Sequence, residues 1–177
     1  MPTLLLLNGP PGVGKSTLAA SWVDRRSAVC LDPDRIRAGF AQPTTVEAML
    51  AARAHVLERA SASLQDGRDV VVPQLCARPE FPDALRELAI RVEATFVEVL
   101  LIDSVSHLRR RLHDRASSLE PHHRLAHQSL DLADLAATHA ALVERAAADP
   151  SIEVLRCGEG QEEITLRAID QLLPPGS

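Results

Sequence analysis

Short apolar runs along the chain alternate with longer stretches in which apolar residues recur every three or four positions. The short runs are typical of buried strands, and the longer stretches have the period of amphipathic helices. The predicted strands cover residues 3–7, 27–31, 70–72, 94–102 and 152–155. The predicted helices cover residues 16–26, 44–66, 79–91, 130–149 and 162–173. One further helix is expected after the fourth strand, with Ser104 as its N-cap.

Strands that alternate with helices in this way indicate a parallel sheet with helices on both faces. A chain of 177 residues fits one domain with a sizeable core. The sequence therefore predicts an α/β fold in three layers, with a five-stranded parallel sheet and a single domain over residues 1–177. Residues 115–128 are predicted to form a loop or lid.

The two longest helices are each predicted to face the core with one apolar stripe. In the first, the stripe consists of Val46, Met49, Leu50, Val56, Leu57, Ala60 and Leu64. In the second, it consists of Leu132, Leu135, Leu142, Val143 and Ala146. His139 lies on the second stripe, where a lone histidine is more often a satisfied core residue than a ligand.

The most specific motif in the chain follows the first strand and reads GPPGVGKS. It matches the pattern G-x-x-x-x-G-K-S/T, in which glycines let the backbone N–H groups fold around phosphates. A strand precedes it and a helix follows, so the positive end of the helix dipole faces the phosphates. The residues predicted to bind a nucleotide are Gly9, Pro10, Pro11, Gly12, Val13, Gly14, Lys15, Ser16 and Thr17.

Lys15 is the single lysine among 19 Lys and Arg residues. A compact ammonium on a flexible stem can take a position that a planar guanidinium cannot. We therefore expect Lys15 to reach the β- and γ-phosphates of the nucleotide, and Ser16 to offer its hydroxyl to magnesium.

Composition and charge narrow the range of partners. The chain has a formal net charge of −5, 2% aromatic residues and no tyrosine, whereas nucleic-acid surfaces usually combine basic residues with stacking rings. A small-molecule partner is therefore expected, and nucleic acid is not. No stretch resembles a signal peptide or a membrane span. Cys30, Cys76 and Cys157 show no metal-binding or disulfide spacing, so buried free thiols in a reducing cytoplasm are predicted.

Two carboxylates and two arginines follow the second strand in the segment LDPDRIR, residues 31–37. In parallel sheets, ligands bind beyond the carboxyl ends of the strands. Asp32 and Asp34 would then meet a magnesium ion and an acceptor hydroxyl beside the γ-phosphate. The alternative is that one of these aspartates caps a short helix.

The pairing of LNGPPGVGKST with LDPDRIR resembles the small P-loop kinases, a group with the polynucleotide kinase domain, zeta toxins, chloramphenicol phosphotransferase and shikimate kinase. The resemblance implies the P-loop NTPase fold with a helical lid, ATP or GTP as the phosphoryl donor, and Mg²⁺. By position it implies that Asp34 is the general base and that Arg37 orients the acceptor. The similarity to shikimate kinase also places Asp32 near magnesium.

In one respect the chain departs from this group. Many members carry an aspartate at the end of the third strand, whereas here Pro73 and Gln74 follow that strand. Glutamine can hydrogen-bond a substrate or a water but has no charge for magnesium. The predicted metal ligands are therefore Ser16 and Asp32.

A basic segment, LRRRLHDR, lies in the helix after the fourth strand. Arg111 and Arg115 are four residues apart and share a helix face. The resemblance implies that these two arginines, with Arg124 in the lid, contact the nucleotide and the transferring phosphoryl group. The alternative is a solvated basic face paired with Asp114 and Glu120. Zinc binding is a less favoured interpretation of the histidines at positions 113, 122, 123 and 127.

These features predict a cytoplasmic ATP-dependent kinase that acts on a hydroxyl of a small molecule. Its predicted catalytic residues are Lys15, Asp34, Arg37, Arg111 and Arg115. One alternative is a nucleic-acid end kinase, which the acidic charge and scarce aromatic residues disfavour. Another is a nucleotide-binding switch that hydrolyses ATP slowly and acts through a protein partner. The missing third-strand carboxylate favours the switch, whereas Asp34 and the arginines favour transfer.

Overall fold

The computed structural model of the protein describes residues 1–115 and 132–173. Its strands are β1 (Thr3–Asn8), β2 (Val29–Cys30), β3 (Val70–Pro73), β4 (Thr95–Ile102) and β5 (Ile152–Arg156). Its helices are α1 (Lys15–Arg26), α2 (Pro33–Ala38), α3 (Val46–Gln65), α4 (Glu80–Arg91), α5 (Val105–Arg115), α6 (Leu132–Ala148) and α7 (Glu162–Leu172). Every predicted strand and helix is present. A further short helix, α2, follows β2, where the alternative interpretation was a short helix capped by an aspartate.

The five strands form one parallel sheet in the order β2-β3-β1-β4-β5. The first strand is central and pairs with β3 on one side and β4 on the other. In this register Leu5 lies between Val71 and Val97. The predicted α/β fold with a five-stranded parallel sheet is therefore confirmed.

The sheet is covered on both faces because alternate residues of a strand point to opposite sides. Leu5 and Leu7 belong to a core cluster with buried residues of α1, α5 and α7. Leu4 and Leu6 belong to a second cluster with buried residues of α3 and α4. A continuous run of buried leucines in β1 thus supplies both cores, as expected for a central parallel strand.

The second strand is shorter than predicted. Ser27 ends α1 with a left-handed backbone conformation, φ 52°, which a strand residue cannot adopt. Pairing therefore starts at Val29, opposite Val70, and ends at Cys30, opposite Val71. This short strand lies at the edge of the sheet, next to β3.

The inward face of α3 differs from the prediction at its amino end. Val46 and Leu50 are 62% and 57% exposed, so their predicted burial is wrong. Met49 and Leu57 are half-buried. The buried residues follow a strict four-residue step and are Ala48, Ala52, Val56, Ala60 and Leu64. The prediction missed this stripe because it gave large apolar residues more weight than alanine.

The inward face of α6 agrees with the prediction except at one position. Its residues that are buried as predicted are Leu135, Leu142 and Ala146. Val143 is 40% exposed, because a residue next to Leu142 is turned about 100° away from the buried stripe. His139 is half-buried, and the side chain of Leu132 lies outside the described part of the chain.

The three cysteines are free thiols, as predicted. Cys76 and Cys157 are buried, and burial raises the pKa of both thiols. Cys30 is exposed, so its predicted burial is wrong. The reason is that Cys30 lies on the short edge strand rather than inside the sheet.

The helix α5 ends at Arg115, where the predicted lid begins. Residues 116–128 of that lid, which include Arg124, lie outside the described residues. Over residues 1–115 and 132–173, no helix has the length and apolar character needed to cross a membrane.

Candidate functional site

The loop of residues 9–14, called the phosphate loop below, joins β1 to α1. Gly9 has a φ of +149°, and a Cβ added there would lie 2.6 Å from the carbonyl oxygen of Leu101. Gly14 has a φ of +106° and is the N-cap of α1. Both positions therefore require glycine, because other residues rarely adopt these backbone conformations. The motif folds as the strand, loop and helix that its pattern predicts.

Lys15 begins α1 and folds back over the phosphate loop. Its Nζ donates hydrogen bonds to the carbonyl oxygens of Gly9 and Pro10, at 2.8 and 3.1 Å. Ser16 and Thr17 follow it and are exposed at the amino end of the helix. The ammonium and the positive end of the helix dipole thus converge on one place, which suits an anionic phosphate chain.

Asn8, the last residue of β1, supports this loop from below and was missed by the sequence analysis. Its buried Oδ1 accepts hydrogen bonds from the N–H groups of Gly9 and Cys76, both at 2.8 Å. Its Nδ2 donates to the carbonyl oxygen of Cys76 at 3.0 Å and to Oε1 of Glu98 at 2.9 Å. The signal in the sequence was an amide that ends an apolar run directly before the motif.

Glu98 lies in the middle of β4, and its side chain is fully buried. Arg145 of α6 forms a bidentate ion pair with it, with Nη1 2.5 Å from Oε1 and Nη2 2.9 Å from Oε2. The hydrogen bonds to Glu98 raise the pKa of Arg145 above its ordinary value. This pair was also missed, although a glutamate inside the run FVEVLLI was a usable signal, since buried carboxylates are almost always paired.

On the other side of the phosphate loop, Asp32 is the N-cap of α2. Its buried Oδ1 accepts hydrogen bonds from the N–H groups of Asp34 and Arg35, at 2.9 and 3.3 Å. The capping interpretation therefore applies to Asp32. Capping also holds this carboxylate at the carboxyl end of β2, where a metal ligand is predicted.

Asp34 and Arg37 form an ion pair within α2. Nη2 of Arg37 donates to Oδ1 of Asp34 at 3.0 Å. The side chain of Asp34 is 37% exposed, and that of Arg37 is 17% exposed. Nε of Arg37 is buried and has no hydrogen-bond partner among the described residues. The predicted base is thus accessible, and the predicted acceptor-binding arginine is adjacent to it.

Two more buried polar atoms lie near the end of β3. Oε1 of Gln74 has no hydrogen-bond partner in the described part of the chain. Nε of Arg53, on α3, is likewise unpartnered within residues 1–115 and 132–173, and its guanidinium lies 4.8 Å from the ring centre of Phe81. The charge of Arg53 also acts on the nearby thiol of Cys76. Buried polar groups are nearly always paired, and these two atoms lie near the carboxyl end of β3, on the side of the sheet where ligands bind in parallel folds.

The residues at this edge fit a magnesium ion. Magnesium prefers oxygen ligands and is usually held by one or two protein groups together with waters and phosphates. Ser16, Asp32 and Gln74 offer oxygens after β1, β2 and β3, and the orphaned Oε1 of Gln74 favours a polar ligand there. Within the described ranges, no group of three His, Cys, Asp or Glu residues could hold a metal ion.

Arg111 reaches the phosphate loop from α5. Its Nη1 donates to the carbonyl oxygens of Gly12 and Val13, at 3.5 and 3.3 Å. Its Nη2 lies 3.9 Å from Oδ2 of Asp103. Contact with a phosphoryl group stays a prediction for Arg111. The side chain of Arg115, which shares that prediction, lies outside the described residues.

A cavity of about 250 Å³ opens beside Arg111. Its lining residues are Val13, Gly14, Thr17, Arg110, Arg111, Asp114, Cys157, Glu159 and Glu162. Arg110 forms an ion pair with Glu159 and so joins α5 to the segment after β5. The cavity therefore extends from the phosphate loop toward α5 and α7, on the side away from α2.

Solved structures share this fold over almost the whole chain. A candidate kinase from Chloroflexus aurantiacus j-10-fl has a TM-score of 0.73 at 16% identity, covering 98% of this chain and 99% of that chain. A gluconokinase from Sinorhizobium meliloti 1021 has a TM-score of 0.67 at 20% identity, covering 97% and 93%. A shikimate kinase from Bacteroides thetaiotaomicron has a TM-score of 0.61 at 19% identity, covering 96% and 97%. No curated protein matches the sequence.

The predicted resemblance to the small P-loop kinases is confirmed, and at these identities it concerns the fold. The model of one protein family, described as an AAA domain, matches residues 4–147. This range begins in β1, ends in α6 and includes the phosphate loop and α2. The chain therefore belongs to the AAA domain family.

Proposed function

We propose that the protein is a cytoplasmic ATP-dependent kinase that transfers the γ-phosphate to a hydroxyl group of a small molecule. The observation that carries this proposal is the arrangement of three neighbouring strands. In the parallel order β2-β3-β1, the carboxyl ends bring α2, Gln74 and the phosphate loop to one edge of the sheet. Donor phosphates on the loop and an acceptor at Asp34 would then be neighbours.

On the donor side, Lys15 exchanges its contacts with loop carbonyls for the β- and γ-phosphate oxygens. Mg²⁺ held by Ser16 and Asp32 supplies further neutralisation of phosphate charge when it is bound. The cavity beside Gly14 and Thr17 receives the base of ATP or GTP. These residues bind and orient the donor, and positioning of this kind provides most of the catalysis in phosphoryl transfer.

On the acceptor side, Asp34 takes the proton of the acceptor hydroxyl. Arg37 holds both this carboxylate and the acceptor. The hydroxyl oxygen forms a bond to the γ-phosphorus, while the bond from that phosphorus to the β,γ-bridging oxygen breaks and ADP leaves. Arg111, Arg115 and Arg124 contribute positive charge around the transferring group.

Small molecules are the favoured acceptors. The net charge of −5 and the scarcity of aromatic residues disfavour a nucleic-acid surface. Solved structures that share the fold are named gluconokinase, sugar kinase and shikimate kinase, and each name refers to a small-molecule acceptor. An oligonucleotide acceptor would instead make the protein an end kinase.

A nucleotide-binding switch is the second candidate, and Gln74 is the observation that favours it. An uncharged amide after β3 gives less support to magnesium than a carboxylate does. Slow hydrolysis would then serve to time the binding of a protein partner. The ion pair of Asp34 with Arg37 favours transfer, because a switch does not need a base on the acceptor side.

The deciding experiment follows label from γ-labelled ATP or GTP into product. The purified protein is incubated with panels of sugars and hydroxy acids, antibiotics and oligonucleotides, with Asp34→Asn as the control. Label in a small molecule that disappears in the control supports the proposal. Label in an oligonucleotide indicates the end kinase, and release of labelled phosphate alone across every panel contradicts transfer.

A further inference from the structure

A buried polar network runs from α6 to the first residue of the phosphate loop. Arg145 binds Glu98 through two parallel contacts of 2.5 and 2.9 Å. Glu98 accepts a hydrogen bond from Asn8, and Asn8 in turn binds the N–H groups of Gly9 and Cys76. Each link is at most 2.9 Å long, and the network joins α6, β4, β1 and the segment after β3.

The carboxylate of Glu98 determines the orientation of the Asn8 amide. A carboxylate accepts hydrogen bonds, so only Nδ2 of Asn8 can face it. Oδ1 must then face the opposite way, where it accepts from Gly9 and Cys76. With a second donation from Nδ2 to the Cys76 carbonyl, all four hydrogen-bonding positions of this side chain are used.

The orientation of Asn8 matters for the phosphate loop because Gly9 cannot adjust freely. A Cβ at Gly9 would lie only 2.6 Å from the carbonyl oxygen of Leu101, so the backbone there already packs closely against β4. The carbonyl oxygen of the same residue holds Nζ of Lys15 at 2.8 Å. A rotation of the Asn8 amide would remove the acceptor of the Gly9 N–H, and with it the hydrogen bond that holds the residue on which the lysine is anchored.

We propose that Glu98 and Arg145 are positioning residues that hold the phosphate loop in its nucleotide-binding shape through Asn8. This inference rests on the proposed nucleotide site, although neither residue touches the nucleotide. Burying a carboxylate and a guanidinium together gives little net stability compared with apolar residues of similar size. The pair beneath the phosphate loop is therefore better explained by positioning than by stabilisation of the sheet.

The chain offers a matched control at the opposite end of β1. Asp69 pairs with Arg26, with Nε 2.8 Å from Oδ2, and both side chains are mostly buried. Oδ1 of Asp69 also accepts a hydrogen bond from the N–H of Thr3 at 2.7 Å. This second pair likewise combines an arginine, a carboxylate and the backbone of β1, but it lies at the edge of the sheet away from the phosphate loop.

The test compares Arg145→Met, Arg145→Lys and Glu98→Gln with Asp69→Asn. Unfolding in urea, followed by circular dichroism, measures the stability of each variant, and calorimetry measures the dissociation constant for Mg-ATP. We expect Arg145→Met and Glu98→Gln to raise that constant about 10-fold, by analogy with the outer-shell partners of metal ligands, whose loss costs about 10- to 100-fold in affinity. Arg145→Lys keeps the charge and should recover part of the loss. Asp69→Asn should lower stability with less than about a twofold change in binding, because it lies far from the loop.

The outcomes separate the inference from the proposed function. If the parent binds Mg-ATP and all three network variants bind it as the parent does, the inference is wrong and the proposed function stands. If network and control variants weaken binding in proportion to their loss of stability, the role is structural and the inference is also wrong. If the parent does not bind ATP or GTP, both fail. Should Arg145→Met not fold, Arg145→Lys and Glu98→Gln decide the question.

Discussion

The two sides of the candidate site differ in how their polar groups are matched. Beneath the phosphate loop, Asn8 uses all of its hydrogen-bonding positions, and Arg145 donates a hydrogen bond to each carboxylate oxygen of Glu98. On the acceptor side, by contrast, three buried atoms lack hydrogen-bond partners among the described residues: Nε of Arg37, Nε of Arg53 and Oε1 of Gln74. The last of these also lies where magnesium is proposed to bind.

We infer from this contrast that the region beneath the phosphate loop is preorganised and that the acceptor side is completed by its ligand. Donor binding needs little adjustment where the backbone is already held, which lowers the cost of ordering. Unmatched buried polar atoms are costly until a ligand pairs with them. We therefore expect variants on the loop side to change nucleotide affinity, and variants on the acceptor side to change transfer while nucleotide affinity persists.

The largest effect is expected at Lys15. Lys15→Arg keeps the charge, but a planar guanidinium cannot fit the position between the Gly9 and Pro10 carbonyls and the phosphates. Mg-ATP binding should weaken, and turnover should fall by at least about 100-fold, since the positive charge is no longer placed at the transferring group. Calorimetry with Mg-ATP and a transfer assay measure the two effects, with Arg25→Lys as the control. Parental binding and turnover in Lys15→Arg would overturn the assignment of the phosphate loop.

The next largest effect is expected at Asp34. Asp34→Asn removes the proposed base, so transfer to the acceptor should fall by at least about 100-fold. Mg-ATP should bind within about twofold of the parent, because Asp34 contacts Arg37 rather than the phosphate loop. Rate and affinity are measured on the same preparation. An equal loss of both would show that the two sides of the site are not independent.

A smaller effect is expected at Arg111, which contacts the loop side but is proposed to serve transfer. Arg111→Ala should lower kcat about 10-fold or more and change KM for ATP less, because its charge matters most in the transition state. Arg109→Ala is the control, since Arg109 lies on the same helix but is exposed and does not line the cavity beside Arg111. If Arg111→Ala changes KM alone, Arg111 serves nucleotide binding and not transfer.

The smallest effect concerns alkaline stability. Burial raises the pKa of Cys76 from an ordinary value of 9.0 to about 12. Above pH 9 the unfolded chain releases this proton and the folded chain keeps it, so the free energy of unfolding falls as the pH rises. One such thiol contributes at most about 1.4 kcal/mol per pH unit.

Urea unfolding at pH 8, 9 and 10 measures this slope. The chain has no tyrosine and one lysine, so few other groups titrate in the window. Cys76→Ala should have a shallower slope than the parent. Cys30→Ala should flatten the slope by a similar amount in this window, because partial burial, with the Asp32 charge, raises the pKa of Cys30 to about 11, which is also above pH 10. Equal slopes in the parent and Cys76→Ala would contradict the role of burial.

Local patterns in the sequence predicted most of the fold. The alternation of apolar runs and helical stretches was enough to predict all five strands, because buried parallel strands and amphipathic helices have different periods. The phosphate-binding motif around Lys15 could also be recognised in the sequence, since its residues are consecutive. The errors at Val46 and Leu50 arose where α3 packs through alanines, which carry a weak hydrophobic signal.

The supporting residues of the site could not be predicted in this way. Asn8, Glu98 and Arg145 are far apart in the chain and meet only because β1 pairs with β4 and α6 packs on that strand. A single sequence shows that Glu98 is unusual in an apolar strand but does not name its partner. The lack of a hydrogen-bond partner for Nε of Arg53 likewise depends on how the side chains pack around that atom, and it cannot be predicted from composition.

The position of Lys15 also makes the phosphate loop chemically addressable. Its Nζ, which lies on the Gly9 and Pro10 carbonyls, is the only ε-amine in the chain. An acylating reagent therefore has two amines to modify, this one and the amino terminus. Peptide mass spectrometry would distinguish the two amines. The fraction of Lys15 that a nucleotide protects from acylation then reports how much of the phosphate loop is occupied, without a tag or an engineered probe.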